Sequence, residues 1–237
     1  MSKTSRMGNT EQTRARAVLG AVTEVVVVLA AALTLSLLMK TFLVQAFYIP
    51  SDSMEDSLLI NDRVLVSKLT PGPFALHRGD VIVFKDPGGW LSAVQPPDDG
   101  PIRGGIRAAL TFVGLLPQDS GEHLIKRVIG LPGDTVVCCD AQGLMQVNGV
   151  AVHETYLRAG TKPSEDPFTV TVQPGQLWVM GDNRGDSADS RRHRQTNDGQ
   201  VPMADVVGKA FVVVWPLSRF GGVVDPPEVF AKVPSHP

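Results

Sequence analysis

The sequence contains little cysteine and almost no net charge. Its two cysteines, Cys138 and Cys139, are adjacent, which excludes a framework of disulfides between distant segments. Neighbouring side chains of a strand point to opposite faces, so we expect two free thiols here rather than a disulfide or a redox switch. The 22 basic and 24 acidic residues give a net charge of -2, which excludes nucleic acid binding through a bulk positive field.

The sequence patterns of metal and cofactor sites are also absent. None of the five histidines forms the helical pair with a glutamate that a zinc protease needs, and no serine lies in a Gly-x-Ser-x-Gly elbow. Phosphate-binding glycine-rich loops are missing. The polar run 181–191 does not fit a calcium loop, because Arg184 occupies a ligand position and no glutamate closes the series. We therefore expect neither a metal nor a cofactor.

A long apolar run is present near the N-terminus. Residues 17–39 contain 23 residues with Glu24 as the only charge, and as a helix they would span about 34 Å. A bilayer core is about 30 Å thick, so the run is long enough to cross it. A cleaved signal peptide also begins basic and continues apolar, but its apolar region usually has about 7 to 15 residues. The length favours a retained membrane anchor.

The distribution of basic residues predicts the orientation of this anchor. Four basic residues precede the run, whereas Lys40 is followed by no other until Arg63. The positive-inside rule therefore predicts a single-pass protein of the cell membrane in contact with lipid. Its three parts are a cytoplasmic basic tail at 1–16, a transmembrane anchor at 17–40 and an extracytoplasmic domain at 41–237.

Beyond the anchor, short β-type runs alternate with Gly, Pro and Asp. Asn148-Gly149 between two valines is a strong hairpin signal. The pattern predicts a mainly β protein, with a partly closed, antiparallel, barrel-like domain and a smaller hairpin-rich subdomain at 140–175. Residues 86–121 are interpreted as an insertion or mobile loop. The predicted strands are 42–49, 63–68, 80–85, 123–129, 135–139, 144–147, 168–172, 176–180 and 207–214.

Two residues are candidates for chemistry. Ser53 follows Pro50 in a break after an extended apolar segment, where a serine can be a nucleophile or simply a turn former. Lys126 shares a strand face with Leu124 and Val128. Such a lysine either extends its ammonium to water or is desolvated, and desolvation would lower its pKa and allow it to act as a base.

Four ordered motifs give these residues a context. The chain resembles the bacterial type I signal peptidases, which are membrane-bound Ser-Lys proteases that remove signal peptides from exported preproteins. The resemblance extends from the anchor to about Pro216. The motifs that carry it are FYIPSDSM at 47–54, RGDVIVF at 78–84, KRVIGLPGD at 126–134 and GDNRGDSADSR at 181–191.

The resemblance implies a role for eight residues. Ser53 would be the nucleophile and Lys126 the general base, while Ser51 would complete an oxyanion hole with the backbone N–H of Ser53. Ser187 would hold the lysine amine. The remaining roles are a supporting ion pair of Asp189 with Arg191, and shallow substrate pockets lined by Ile49 and Ile125.

The chain departs from the family pattern at two places. Asp56 stands where the family usually has a proline after the nucleophile, and residues 192–198 form a longer polar loop of unknown role. Two aromatic groups are candidates for the membrane interface, namely Trp90 and the cluster of Phe42, Phe47 and Tyr48, for which core packing is the alternative.

Other functions are compatible with parts of the sequence. A non-enzymatic, membrane-anchored β module that binds a partner would need neither Ser53 nor Lys126. A self-cleaving, repressor-like protease would not need the anchor. Penicillin-recognising enzymes carry Ser-x-x-Lys within one helical turn, and Ser53 lacks it because position 56 is aspartate.

Overall fold

The structure is a computed structural model that describes residues 4–91, 100, 104–105 and 122–234. Most of the predicted insertion at 86–121 therefore lies outside the described residues. The chain begins with one long helix, α1 (Thr4–Phe42). Within it, Leu19–Phe42 has a mean hydropathy of 2.3 and no residue buried inside the protein, so it is long and apolar enough to cross a membrane. The helix begins well before the apolar run and includes most of the predicted tail.

The rest of the described chain is mainly β, as predicted. All nine predicted strands are present, with ends that shift by one or two residues. Three further short strands are β7, β10 and β12. The strands are β1 (Val44–Tyr48), β2 (Arg63–Ser67), β3 (Val81–Lys85), β4 (His123–Gly130), β5 (Thr135–Cys138), β6 (Met145–Val147), β7 (Val150–Val152), β8 (Phe168–Thr171), β9 (Gln176–Met180), β10 (Val201–Pro202), β11 (Val206–Trp215) and β12 (Gly221–Gly222). Short 3-10 helices cover Asn197–Gly199, Met203–Asp205, Leu217–Arg219 and Pro227–Val229.

The strands form two antiparallel sheets. The larger has eight strands in the order β1-β2-β11-β3-β4-β9-β10, with β12 paired to β11. Among the described strands no pairing joins its two edges, so the sheet is not a closed barrel. The smaller sheet has the order β7-β6-β5-β8; three of its strands lie within the predicted hairpin-rich region at 140–175, and β5 precedes that region. Its β6–β7 turn is at Asn148 and Gly149, whose φ angles of 53° and 76° suit a tight hairpin.

Strand β4 lies where three apolar clusters meet. Leu124 and Val128 pack in one cluster, Ile125 in a second and Ile129 in a third. The alternation of neighbouring residues between clusters is what a strand buried on both faces requires. Lys126 is therefore surrounded by core on a strand that is central to the domain.

The expectation of two free thiols is wrong. Cys138 and Cys139 form a disulfide, and the peptide bond between them is cis. Strand β5 ends at Cys138, so the alternation of side chains that would separate the two sulfurs does not extend to Cys139. The Cα atoms are 3.0 Å apart, which allows the vicinal bond.

The aromatic candidates for the membrane interface differ in how far they are buried. Trp90 is buried in the core, with 5% of its surface exposed, because it packs against ring systems rather than facing outwards. Phe47 is a core residue, and Tyr48 donates its hydroxyl to Asn61 Oδ1 over 2.6 Å. Phe42, the last residue of α1, is the exposed member of the group.

Candidate active site

Ser53 lies in a tight turn that directly follows β1. Backbone N–H groups of Glu55 and Leu58 donate to the carbonyl oxygens of Asp52 and Met54, each over 2.8 Å. Met54 and Leu58, which follow Ser53, are fully buried, so their side chains anchor the turn in the core. Ser53 itself is only 7% exposed.

Lys126 reaches this turn from the middle of β4. Its Nζ is 2.6 Å from Ser53 Oγ and 3.0 Å from the carbonyl oxygen of Ile125, and the residue is 3% exposed. The side chain is therefore desolvated and does not extend to water. The structure brings together the two residues that the sequence singles out, although they are far apart along the chain.

The environment of Lys126 lowers its pKa. Burial disfavours the ammonium form and lowers the pKa to about 8, against the carboxylates of Asp189 and Asp182, which raise it. The nearby cation of Arg191 acts in the same direction as burial. With this pKa about a tenth of the amine is neutral at pH 7, far more than for a lysine exposed to water, and the neutral amine can accept a proton.

The polar loop after β9 supports both residues. Asp189 accepts the N–H of Gly181 over 2.9 Å and pairs with Arg191 over 2.8 Å. Burial alone would raise the pKa of Asp189, but Arg191 and the N–H of Gly181 hold it below its usual value. Asn183 donates its side-chain amide to Asp52 O over 3.3 Å. The loop is thus held by its own hydrogen bonds and is bonded to the turn that carries Ser53.

Ser51 and Ser187 lie in different surroundings. Ser51 is exposed, and its Oγ is 3.4 Å from Ser53 Oγ. Ser187 is buried beside Asp189 and contributes to lowering the pKa of that carboxyl. The predicted contact of Ser187 with the lysine amine is not among the hydrogen bonds of Lys126, which go to Ser53 and to Ile125.

A cavity of about 300 Å³ opens beside the two residues. Both predicted pocket residues, Ile49 and Ile125, line it together with Ser51. The other residues of its lining come from β1, the turn after β1, β3, β4, the 86–91 turn and the loop after β9. They are Phe47, Tyr48, Pro50, Asp52, Ser53, Val83, Trp90, Leu91, His123, Leu124, Lys126, Asp186 and Ala188.

The sequence motifs assigned no role to the two residues of a buried ion pair next to the site. Arg127 donates to both carboxylate oxygens of Asp182, over 2.8 and 2.6 Å, and all of these groups are buried. Ser57 from the nucleophile turn donates to the same carboxylate, and the ring of Tyr156 lies 4.0 Å from the guanidinium. The sequence contained an indication of this ion pair. A strand whose two faces are both apolar buries Arg127 on the face opposite Lys126, and a buried cation needs a carboxylate partner.

Neither His123 nor His193 forms a triad with Ser53. His193 Nδ1 lies 3.0 Å from the carbonyl oxygen of Asp189, and its ring stacks on Trp90. His123 lines the cavity and tilts against Phe47, while burial lowers its pKa. Within the described part of the chain, no group of three His, Cys, Asp or Glu side chains is arranged to hold a metal ion.

Comparison with known proteins places this chain in a family. The family model described as "Signal peptidase, peptidase S26" matches residues 22–215, which include α1 from its second half and nearly the whole of the β domain. The chain belongs to this family of peptidases. The matched region contains Ser53, Lys126 and the loop after β9.

Named relatives agree with this membership. The chain is 40% identical over 220 residues to a probable signal peptidase I of Mycobacterium leprae (strain TN), covering 81% of this chain and 75% of the relative. It is 41% identical over 214 residues to a signal peptidase I of Mycobacterium tuberculosis (strain ATCC 25618 / H37Rv), with 81% and 72% covered. A crystal structure of a signal peptidase I from Enterococcus faecalis V583 has 26% identity and a TM-score of 0.37, and covers 57% of this chain and 97% of that one.

Proposed function

We propose that this family member is a membrane-anchored endopeptidase that removes N-terminal signal peptides from exported preproteins, with Ser53 as nucleophile and Lys126 as general base. The observation that carries the proposal is the 2.6 Å contact between Lys126 Nζ and Ser53 Oγ, in which both groups are nearly buried. A nucleophile within hydrogen-bond reach of a base with a lowered pKa is the arrangement that covalent catalysis requires.

The reaction follows from this pair. The neutral amine of Lys126 takes the proton of Ser53 Oγ as the oxygen attacks the scissile carbonyl carbon. The resulting ammonium then gives its proton to the leaving amine, so that the mature protein departs and the signal peptide remains as an ester on Ser53. A water molecule, deprotonated by the same amine, hydrolyses this ester and restores the enzyme.

The negative charge that develops on the carbonyl oxygen needs donors. The hydroxyl of Ser51, whose oxygen is 3.4 Å from Ser53 Oγ, and the backbone N–H of Ser53 are the donors we assign to it. The loop after β9 has a positioning role: Asp189 with Arg191 orders the loop, and we assign to Ser187, which is buried next to Gly181 in that loop, the role of holding the amine. No metal or cofactor enters this scheme.

The strand edges beside the cavity suit an extended substrate. Within the described part of the chain, β1 is hydrogen-bonded only to β2, and residues 123–126 of β4 are paired only with β3. A preprotein segment can add as a strand to such an edge. Side chains at the first and third positions before the cut would then face Ile49 and Ile125, and the shallow pockets favour alanine. Equally fast cleavage with leucine at the first position would show that this pocket assignment is wrong.

The anchor determines the position of the site relative to the membrane. With the basic N-terminus in the cytoplasm and α1 across the cell membrane, Ser53 is held at the outer surface, where the cleavage site of a translocated preprotein emerges. The alternative of a non-enzymatic binding module makes the opposite prediction for the site residues, since it needs neither Ser53 nor Lys126 for its function.

The proposal is tested by cleavage of a purified preprotein in detergent or vesicles. Ser53→Ala and Lys126→Ala should each abolish cleavage while the protein still accumulates in the membrane, and the double variant should lose little more than either single variant. Ser218→Ala, at an exposed position, is the matched control and should cleave normally. Substantial activity in either purified single variant would contradict the Ser-Lys assignment.

A further inference from the structure

Trp90 is held in place by a turn at the start of the region beyond β3. The carboxylate of Asp86 accepts the backbone N–H groups of Gly88 and Trp90, each over 3.0 Å, and that of Leu91 over 3.1 Å. One side chain thus ties together the backbone of six consecutive residues. The turn places Trp90 and Leu91 on the wall of the same cavity that contains Ser53 and Lys126.

The indole of Trp90 contacts two other rings. It stacks on His193 with 4.5 Å between ring centroids and 10° between planes, and it meets Phe84 edge-on with 5.9 Å between centroids. His193 is fixed in turn, since its Nδ1 lies 3.0 Å from the carbonyl oxygen of Asp189. The polar loop at 192–198, to which sequence analysis gave no role, therefore supplies the ring that holds one wall of the cavity.

This wall lies on a different face of β4 from the pockets already assigned. Ile125 packs with Ile49, whereas Leu124 packs in the apolar cluster that contains Trp90. In an extended substrate, successive side chains point to opposite sides. If the first and third side chains before the cut face Ile49 and Ile125, the second side chain faces Leu124 and Trp90.

We propose that Trp90 and Leu91 form a subsite for the second residue before the cut, which selects flat apolar or aromatic side chains. The proposal rests on the proposed peptidase function and adds a specificity residue to it. The part of the indole that lines the cavity offers an aromatic contact, and aromatic pairs prefer offset or edge-on arrangements. Asp52 and Asp186 also line the cavity, so an acidic side chain at this position would meet charges of its own sign. His193 is a positioning residue, because it acts through Trp90.

The test compares two preproteins that both have alanine at the first and third positions and that differ only in phenylalanine or serine at the second. The measured quantity is the ratio of their kcat/KM values. Wild-type protein should prefer phenylalanine by about fivefold, as expected for one aromatic contact. Trp90→Ala should bring the ratio close to one, Trp90→Phe should retain most of it, and His193→Ala should lower it in part.

Using a ratio keeps the test valid when a variant is less stable, because both substrates are measured on the same sample and the folded fraction cancels. Trp178→Phe is the control, since this tryptophan is fully buried in another cluster away from the cavity, and its ratio should equal that of wild type. A wild-type ratio near one, or a ratio unchanged in Trp90→Ala, would overturn the subsite while leaving the peptidase function standing. Failure of wild-type protein to cleave either preprotein would overturn both.

Discussion

Asn183 donates its backbone N–H to the carbonyl oxygen of Ser53 over 3.1 Å. This bond is one of those that join the loop after β9 to the turn that carries the candidate nucleophile. It requires the two backbones to run very close together, and Gly181 is the residue that permits the approach. A side chain at position 181 would meet both Ser187 Oγ and Ser53 O at distances that no atoms tolerate.

Gly181→Ala should therefore damage both stability and activity. We expect a loss of about 1–3 kcal/mol in the free energy of unfolding, as for other overpacked sites, and a drop of about tenfold or more in kcat/KM because Ser53 is displaced from Lys126. Thermal unfolding in detergent and preprotein cleavage measure the two effects. Gly185→Ala is the matched control in the same loop, where a methyl group meets nothing within 4 Å. Similar behaviour of the two variants would show that the close approach is unimportant.

The activity should depend on the protonation of Lys126. Its pKa is lowered to about 8 by burial, and only the neutral amine accepts the proton of Ser53, so kcat/KM should rise as the pH increases through about 8. Arg191→Gln removes a cation that lowers this pKa, and the rising limb should then move to higher pH. The measurement is a pH profile of preprotein cleavage. A limb near 6.5 that disappears when His123 or His193 is replaced would identify a histidine as the base instead.

Asp56 should resist replacement by the residue that the family usually carries there. Its φ is 82°, whereas proline fixes φ near -65°, so Asp56→Pro should lower the free energy of unfolding by more than about 1 kcal/mol. Asp56→Gly is the matched control, because it also removes the exposed contact with Arg158 but tolerates the backbone conformation. Thermal unfolding of both variants checks this. A proline variant as stable as the glycine variant would contradict the backbone argument.

The orientation of the anchor can be measured on spheroplasts. Protease added from outside should digest the region after Lys40 and spare the first 16 residues, because the basic residues retain the N-terminus in the cytoplasm. Detergent-permeabilised spheroplasts are the control, in which the N-terminal segment should also become accessible. A soluble product that begins at Phe47 as the main form would favour a cleaved signal peptide.

Much of this fold is predictable because local patterns determine it. Asn148-Gly149 can only be accommodated easily in a tight hairpin, and the apolar runs that flank Lys126 require a strand with core on both faces. The sequence alone could not decide whether Lys126 was desolvated, since that depends on the segments that pack around it, among them the turn with Ser53, which is 73 residues away along the chain.

Other features depend on contacts that no local pattern contains. Trp90 follows two glycines in a polar segment, which suggests exposure, yet its neighbours Phe84 and His193 bury it. The bond between Cys138 and Cys139 depends on where β5 ends, which the residues themselves do not mark. The same holds for the left-handed backbone at Asp56, where glycine or asparagine would have been an indication.

Only Leu43 separates α1 from β1. Its N–H donates to Met39 O over 2.8 Å, and its carbonyl oxygen accepts the N–H of Lys68 over the same distance, so the joint is fastened on both sides. With α1 in a bilayer, enzyme and preprotein meet by lateral diffusion in two dimensions, and the rate of encounter depends on their numbers per unit of membrane area. Dilution of the surrounding medium would leave that rate unchanged, and adding lipid to reconstituted vesicles would slow it.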